Sequence, residues 1–219
     1  MAWEFSTEPQ FQKKLDWIDE FVRAEVYPLE TLEHDWPALQ RAITPLKEQV
    51  KQQGLWAAHL DPELGGQGYG QVKLGLMHEI IGKSWIAPLV FGNQAPDSGN
   101  SEILAAAGTP AQKEQWLQPL LAGDMYSAFA LTERDTAGSD PTLLVTTAVR
   151  DGDDWVINGH KWFISNASTA DFFIVVAVTD PSAEKHRRLT RTRGARLPIR
   201  RYESASARMR PSQADQRRP

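Results

Sequence analysis

MYSAFALTERDTAGSD, residues 125–140, is where the pattern of this chain changes. Before it, apolar residues recur every three or four positions, the period of a helix with one buried face. Within it, MYSAFAL (125–131) is a short run of small and apolar residues, the signature of a buried strand. The polar loop ERDTAGSD then follows, and from there onward short apolar runs alternate with turn residues. A helical block followed by strands argues for an α+β chain with its classes segregated, not for alternating βαβ units.

Working backward from residue 125, the spacing predicts five helices. Phe11, Leu15, Ile18 and Val22 carry the first, which Tyr27-Pro28 should stop. Leu39, Ile43, Leu46 and Val50 carry the second, with Gly54 placed to end it. DPELGGQGYG (61–70) reads as a loop, because its glycines lack dinucleotide-loop spacing and no strand precedes them. Val72, Leu76, Ile80 and Ile81 carry a third helix, and a fourth lies around 98–107. Thr109, Pro110 and Gln112 form the start of a fifth, with Trp116, Leu117, Leu120 and Leu121 on its apolar face.

Working forward, strands are expected at 125–131, 143–149, 154–158, 160–166 and 172–179. Asp151-Gly152 and Asn158-Gly159 are hairpin turn signals. The expected architecture is α+β: a helical domain over 1–123, a partial antiparallel β-domain over 124–188 and a disordered basic tail over 189–219.

Composition narrows the chemistry. The absence of Cys removes disulfides, thiol nucleophiles and Cys-ligated metals. The five His (34, 59, 78, 160 and 186) show no metal spacing, and no G-x-S-x-G elbow occurs. MAWEFSTEPQ lacks the charge and apolar run of a signal peptide, and no stretch reaches the ~20 apolar residues of a membrane helix. The expectation is a cytoplasmic protein with no metal and no membrane partner. Charge is split: residues 1–186 hold 13 Lys and Arg against 26 Asp and Glu, whereas 187–219 hold 11 Arg, no Lys and two acids.

Two stretches carry candidate chemistry. In ALTERDTAGSD (130–140), Thr132 offers a hydroxyl and Gly138 permits close backbone approach. Ser139 adds a hydroxyl and an N–H, donors suited to phosphate oxygens. A plain Gly-Ser turn and a ligand loop explain this stretch equally well. In INGHKWFISNAS (157–168), strand alternation puts Phe163 and Ser165 on one face, where they would line a flat ring or simply pack into core.

Together the two stretches resemble the acyl-CoA dehydrogenase family. LTERDTAGSD is similar to that family's LTEP…AGSD flavin loop, and INGHKWFISN to its INGxKxWITN strand. The helical run from Asp97 to Glu133 resembles the family's entry into its β-domain, and the likeness covers roughly residues 1–188. The resemblance implies FAD as cofactor, with Phe129, Leu131 and Thr132 along the flavin ring and Gly138 and Ser139 at its pyrophosphate. It puts Ser139 also against the acyl-CoA substrate, Phe163 and Ile164 on the ring, and Ser165 near the reactive nitrogen.

Arg134, Phe163 and Ser165 replace the usual Pro, Trp and Thr, and Arg134 bears on loop rigidity. Glu133, Asp135 and Asp140 read as structural, so no catalytic residue is assigned. The family base belongs to a C-terminal helical bundle that this chain is expected to lack. The implied reaction is α,β-dehydrogenation of an acyl-CoA thioester, with an electron-transfer flavoprotein as acceptor and a homo-oligomeric assembly. The Arg-rich tail resembles translation in a shifted frame, so a truncated member is expected. The competing expectation is a non-catalytic scaffold whose basic tail binds nucleic acid or an anionic surface; the lack of interleaved aromatics beyond Tyr202 argues against it.

Overall fold

The computed structural model describes residues 6–32, 35–152, 154–187, 189–195 and 207–209. The chain divides into two compact units, Met1–Ser98 and Gly99–Pro219. Among the described residues, no helix is long and apolar enough to cross a membrane.

In the first unit, α1 (Pro9–Phe21) buries Phe11, Leu15, Ile18 and Phe21, the stripe its spacing predicts. Trp17 stacks on Phe21 with ring centroids 4.6 Å apart. Tyr27-Pro28 does not stop the helical path. A π-turn over Val22–Val26 leads into a 3-10 turn over Tyr27–Leu32, which places Pro28 in its first turn, where a missing N–H costs nothing. In α2 (Trp36–Gln52) the Asp35 carboxylate accepts from the Ala38 N–H at 2.9 Å, and Leu39, Ile43, Leu46 and Val50 are buried. In α3 (Gly70–Ile81) the buried residues are Leu74, Met77 and Ile81, while Val72 is exposed. That helix is apolar on more than one side, so packing rather than period selects its inner face. A short α4 (Ala87–Val90) had no sequence signal.

The second unit holds most of α5 (Asp97–Ala107) and a continuous helical path. That path runs from α6 (Pro110–Gln112) through a π-turn at Lys113–Leu117 into α7 (Gln118–Ala122). The Thr109–Gln112 capping box is formed: Gln112 N–H donates to the Thr109 hydroxyl and Thr109 N–H to the Gln112 side chain, at 3.3 and 3.0 Å. Gly123, at φ 80°, ends the path.

The sheet comprises β1 (Ser127–Ala130), β2 (Thr147–Asp151), β3 (Asp154–Asn158), β4 (Phe172–Val178), β5 (Leu189–Ala195) and β6 (Ala207–Met209). Its order is β1-β4-β2-β3-β6, with β5 also paired to β4. It is mixed, not wholly antiparallel as expected. β4 runs parallel to β1, with Ser127 opposite Phe172, and touches β2 in parallel at Val178. A parallel pair needs a long connection, and the forty-odd residues between β1 and β4 provide one. β2 and β3 form the expected antiparallel hairpin around Gly152 at φ 63°. All seven residues of β4 are buried, as its unbroken apolar run predicts. Phe173, Val175 and Ala177 enter one core cluster, and Phe172 packs on the other side against Trp116 at 5.1 Å.

Two segments of the expected disordered tail are strands. β5 pairs antiparallel with β4 from Leu189 through Ala195, and β6 pairs with β3. Strand pairing satisfies backbone groups without requiring an apolar face, which composition alone does not register. The rest of 189–219 lies outside the described residues.

The expected strands at 143–149 and 160–166 are also corrected. Pro141–Leu143 is a 3-10 turn, and β2 begins only at Thr147. After Lys161 the backbone turns, with Phe163 at φ 50° and Asn166 at φ 62°. A strand does not survive two left-handed residues.

Candidate functional site

Both candidate stretches belong to the second unit, and the structure brings them together. The Trp162 N–H donates to the Thr132 carbonyl at 2.9 Å, and Glu133 and Lys161 form an isolated antiparallel bridge. The Lys161 ammonium donates to the Leu131 carbonyl and to Glu133 Oε1, both at 2.9 Å. Glu133 reaches the other way as well. Its Oε2 accepts from the Val145 N–H at 2.8 Å and its Oε1 from the Thr146 N–H at 2.9 Å. These two bonds help explain why 143–146 is not a strand: the amides of Val145 and Thr146 are committed to a carboxylate, and those of Leu143 and Leu144 to the Asp140 and Pro141 carbonyls of the preceding turn.

The Glu133–Lys161 pair is nearly dry, with 2% of the Glu133 side chain and 13% of the Lys161 side chain exposed. Burial pushes the Glu133 carboxyl up. The bonds it accepts from the Val145 N–H, Lys161 and the Thr146 N–H oppose burial, and it is held below the usual carboxylate range. Burial pulls Lys161 down further than its bond and attraction to Glu133 raise it. Asp140 is also held low, by the Thr142 hydroxyl and N–H, at 2.6 and 2.9 Å.

The predicted site residues are placed as follows. Phe129, Leu131, Thr132 and Gly138 are half-buried, and Ser139 is exposed. Gly138 folds back on Thr132: a Cβ at Gly138 would lie 3.2 Å from Thr132 Cγ2. Phe163 is 84% exposed, and its ring meets Trp162 edge-on at 4.8 Å. Ile164 is half-buried against the sheet's core cluster, and Ser165 is exposed in the following turn. Phe163 and Ser165 therefore do not share a strand face. Arg134 sets its guanidinium 5.6 Å from the Trp162 ring centre, a cation–π contact that ties the two loops where Pro would offer none. Glu133, expected from sequence to be structural, has three partners here, Lys161 and the amides of Val145 and Thr146; Lys161 carries no role in the sequence analysis. The available signal was an acid in the first motif and a lysine in the second.

Gly159 fixes the approach of the second loop. A Cβ there would lie 2.2 Å from Thr146 Oγ1 and 2.6 Å from Thr146 Cβ. Gly159→Ala is expected to cost about 1–3 kcal/mol by overpacking. Urea unfolding checks this, and adding Thr146→Ala should recover part of the loss, because the two sites share the clash.

Residues 9–124 match the acyl-CoA dehydrogenase N-terminal domain, and residues 128–208 match the acyl-CoA dehydrogenase middle domain. The chain belongs to the acyl-CoA dehydrogenase family. It is 36% identical over 196 residues to acyl-CoA dehydrogenase family member 11 of Mus musculus, covering 84% of this chain and 25% of that protein. It is similar to a solved structure from Mycobacterium abscessus assigned to the acyl-CoA dehydrogenases: TM-score 0.77, 37% identity, 86% of this chain and 50% of that one. It is also similar to glutaryl-coenzyme A dehydrogenase solved with glutaryl-CoA: TM-score 0.71, 28% identity, 88% and 48% of the two chains. This acyl-CoA dehydrogenase chain thus spans about half the length of the solved relatives and a quarter of the mouse protein. The middle-domain match runs to residue 208, beyond the likeness read from sequence, and takes in β5 and the start of β6.

Proposed function

We propose that this chain forms the flavin-facing part of an FAD-dependent acyl-CoA dehydrogenase. The observation that carries the reading is the Trp162–Thr132 backbone bond, which joins the two motif loops into one surface. That surface fits a flavin in kind. Phe163 and Trp162 present exposed aromatic area, Thr132 a hydroxyl, and Gly138 a backbone without a side chain in the way. Ser139 is exposed and suited to phosphate and thioester oxygens.

When bound, FAD supplies the two-electron acceptor chemistry of acyl-CoA oxidation. The chain's own residues bind and orient. Leu131 and Phe129 would supply apolar contact to the flavin and Thr132 and Ser165 hydroxyl groups, while Ile164, packed on the sheet's core cluster, would support the second loop. Glu133 is committed to two amides and a lysine, and Asp140 to Thr142, so neither is proposed as the base that takes the α-proton. An acyl-CoA substrate, an electron-transfer flavoprotein acceptor, homo-oligomeric assembly and a cytoplasmic setting belong to the same proposal. The scaffold reading relied on a free basic tail, whereas Arg191, Arg193 and Arg208 lie in paired strands.

Titrating the purified chain with FAD and following flavin fluorescence tests this. Saturable quenching is expected, weakened up to about tenfold by Phe163→Ala through lost ring contact. Absence of saturable binding would sink the proposal for this chain.

A further inference from the structure

We propose that Glu133 and Lys161 act together as positioning residues that preform the flavin-facing surface; the inference rests on the flavin reading above. The pair joins three backbone segments at once. Lys161 holds the Leu131 carbonyl, and Glu133 holds the amides of Val145 and Thr146, all at 2.8–2.9 Å. Leu131 and Thr132 are the residues that face the proposed ring. Trp162 and Phe163 directly follow Lys161, and the Trp162 amide is itself bonded to Thr132.

Stability alone is a poor reason for this pair, because an apolar pair of the same shape often serves as well in a dry site. What charge supplies here is direction. Four donor–acceptor contacts converge on two side chains and leave each segment one arrangement. The second observation is Phe163, held at φ 50° with 84% of its surface exposed. An aromatic residue adopts that backbone only where its surroundings over-determine it, and such positions cluster at ligand sites. The anchor that over-determines it is Lys161, two residues earlier.

The test uses the double variant Glu133→Gln/Lys161→Met, which removes both charges and keeps both stems. Its melting temperature is expected to stay near that of the parent. Its FAD dissociation constant should rise about tenfold or more, the visible circular dichroism of bound flavin should change shape, and the Trp162 amide, which is bonded to the Thr132 carbonyl, should exchange about tenfold faster. Lys161→Arg, which keeps two donors, should restore the dichroism in part. A purely structural fastener would change affinity only as far as it changes stability. Parent-like exchange at Trp162, or parent-like FAD affinity and dichroism in the folded double variant, overturns the proposal. Faster Trp162 exchange with no FAD binding by any variant, parent included, would instead sustain the positioning and sink the flavin reading. If the double variant does not fold, Lys161→Met alone is read by the same exchange measurement, and unchanged exchange there also overturns it.

Discussion

Glu133→Ala should destabilise the second unit by about 3–5 kcal/mol, the cost of breaking a buried pair and leaving its partner charged and dry. Three donors lose their acceptor together: Lys161 and the amides of Val145 and Thr146. Against a domain stability of about 5–15 kcal/mol, that is a large share. Urea unfolding followed by circular dichroism measures the loss, and amide exchange at Val145 and Thr146 shows where it falls. An effect below about 1 kcal/mol would place the pair among ordinary surface bridges and refute the account.

The same carboxylate predicts a pH dependence. Its folded pKa lies below the ordinary value, so the folded state binds its proton less readily than the unfolded chain. The resulting stability is therefore fully present above the unfolded pKa of about 4.3 and is lost as pH falls through that value toward the folded pKa. Glu133→Gln, which has nothing to titrate, should flatten that acid limb.

Phe172→Ala should cost about 3–5 kcal/mol through lost burial and the cavity left behind. Phe172 is 2% exposed, opens the central strand β4, and packs against Trp116. It sits opposite Ser127 on one side and Ala195 on the other, so the cavity falls at the junction of β1, β4 and β5. Urea unfolding should show a lower midpoint with the slope preserved. A loss under about 1 kcal/mol would mean that the neighbours collapse to fill the space.

Some of the fold was legible because its causes are local. Thr109, Pro110 and Gln112 cap a helix through atoms within four residues of one another. Asp151-Gly152 turns a hairpin because glycine accepts φ 63°. FFIVVAV forms a central strand because every residue in it demands burial on whichever face it lands. The candidate site was legible as two motifs, one read as a loop and the other as a strand, and the family likeness they carry is borne out by the domain matches.

The rest turns on partners far apart in the chain. HKWFISN has the composition of a strand, yet Lys161 is drawn to a carboxylate 28 residues earlier and the backbone turns at Phe163. LLVTTAV also reads as a strand, yet two of its amides belong to Glu133. β5 looks too polar to order, yet the exposed edge of β4 accepts its backbone along seven residues. Periodicity and capping are properties of neighbouring residues, so the order of residues determines them. A buried ion pair or a strand partner is chosen by free energy summed over distant groups, so only the folded chain decides which amides, charges and edges meet.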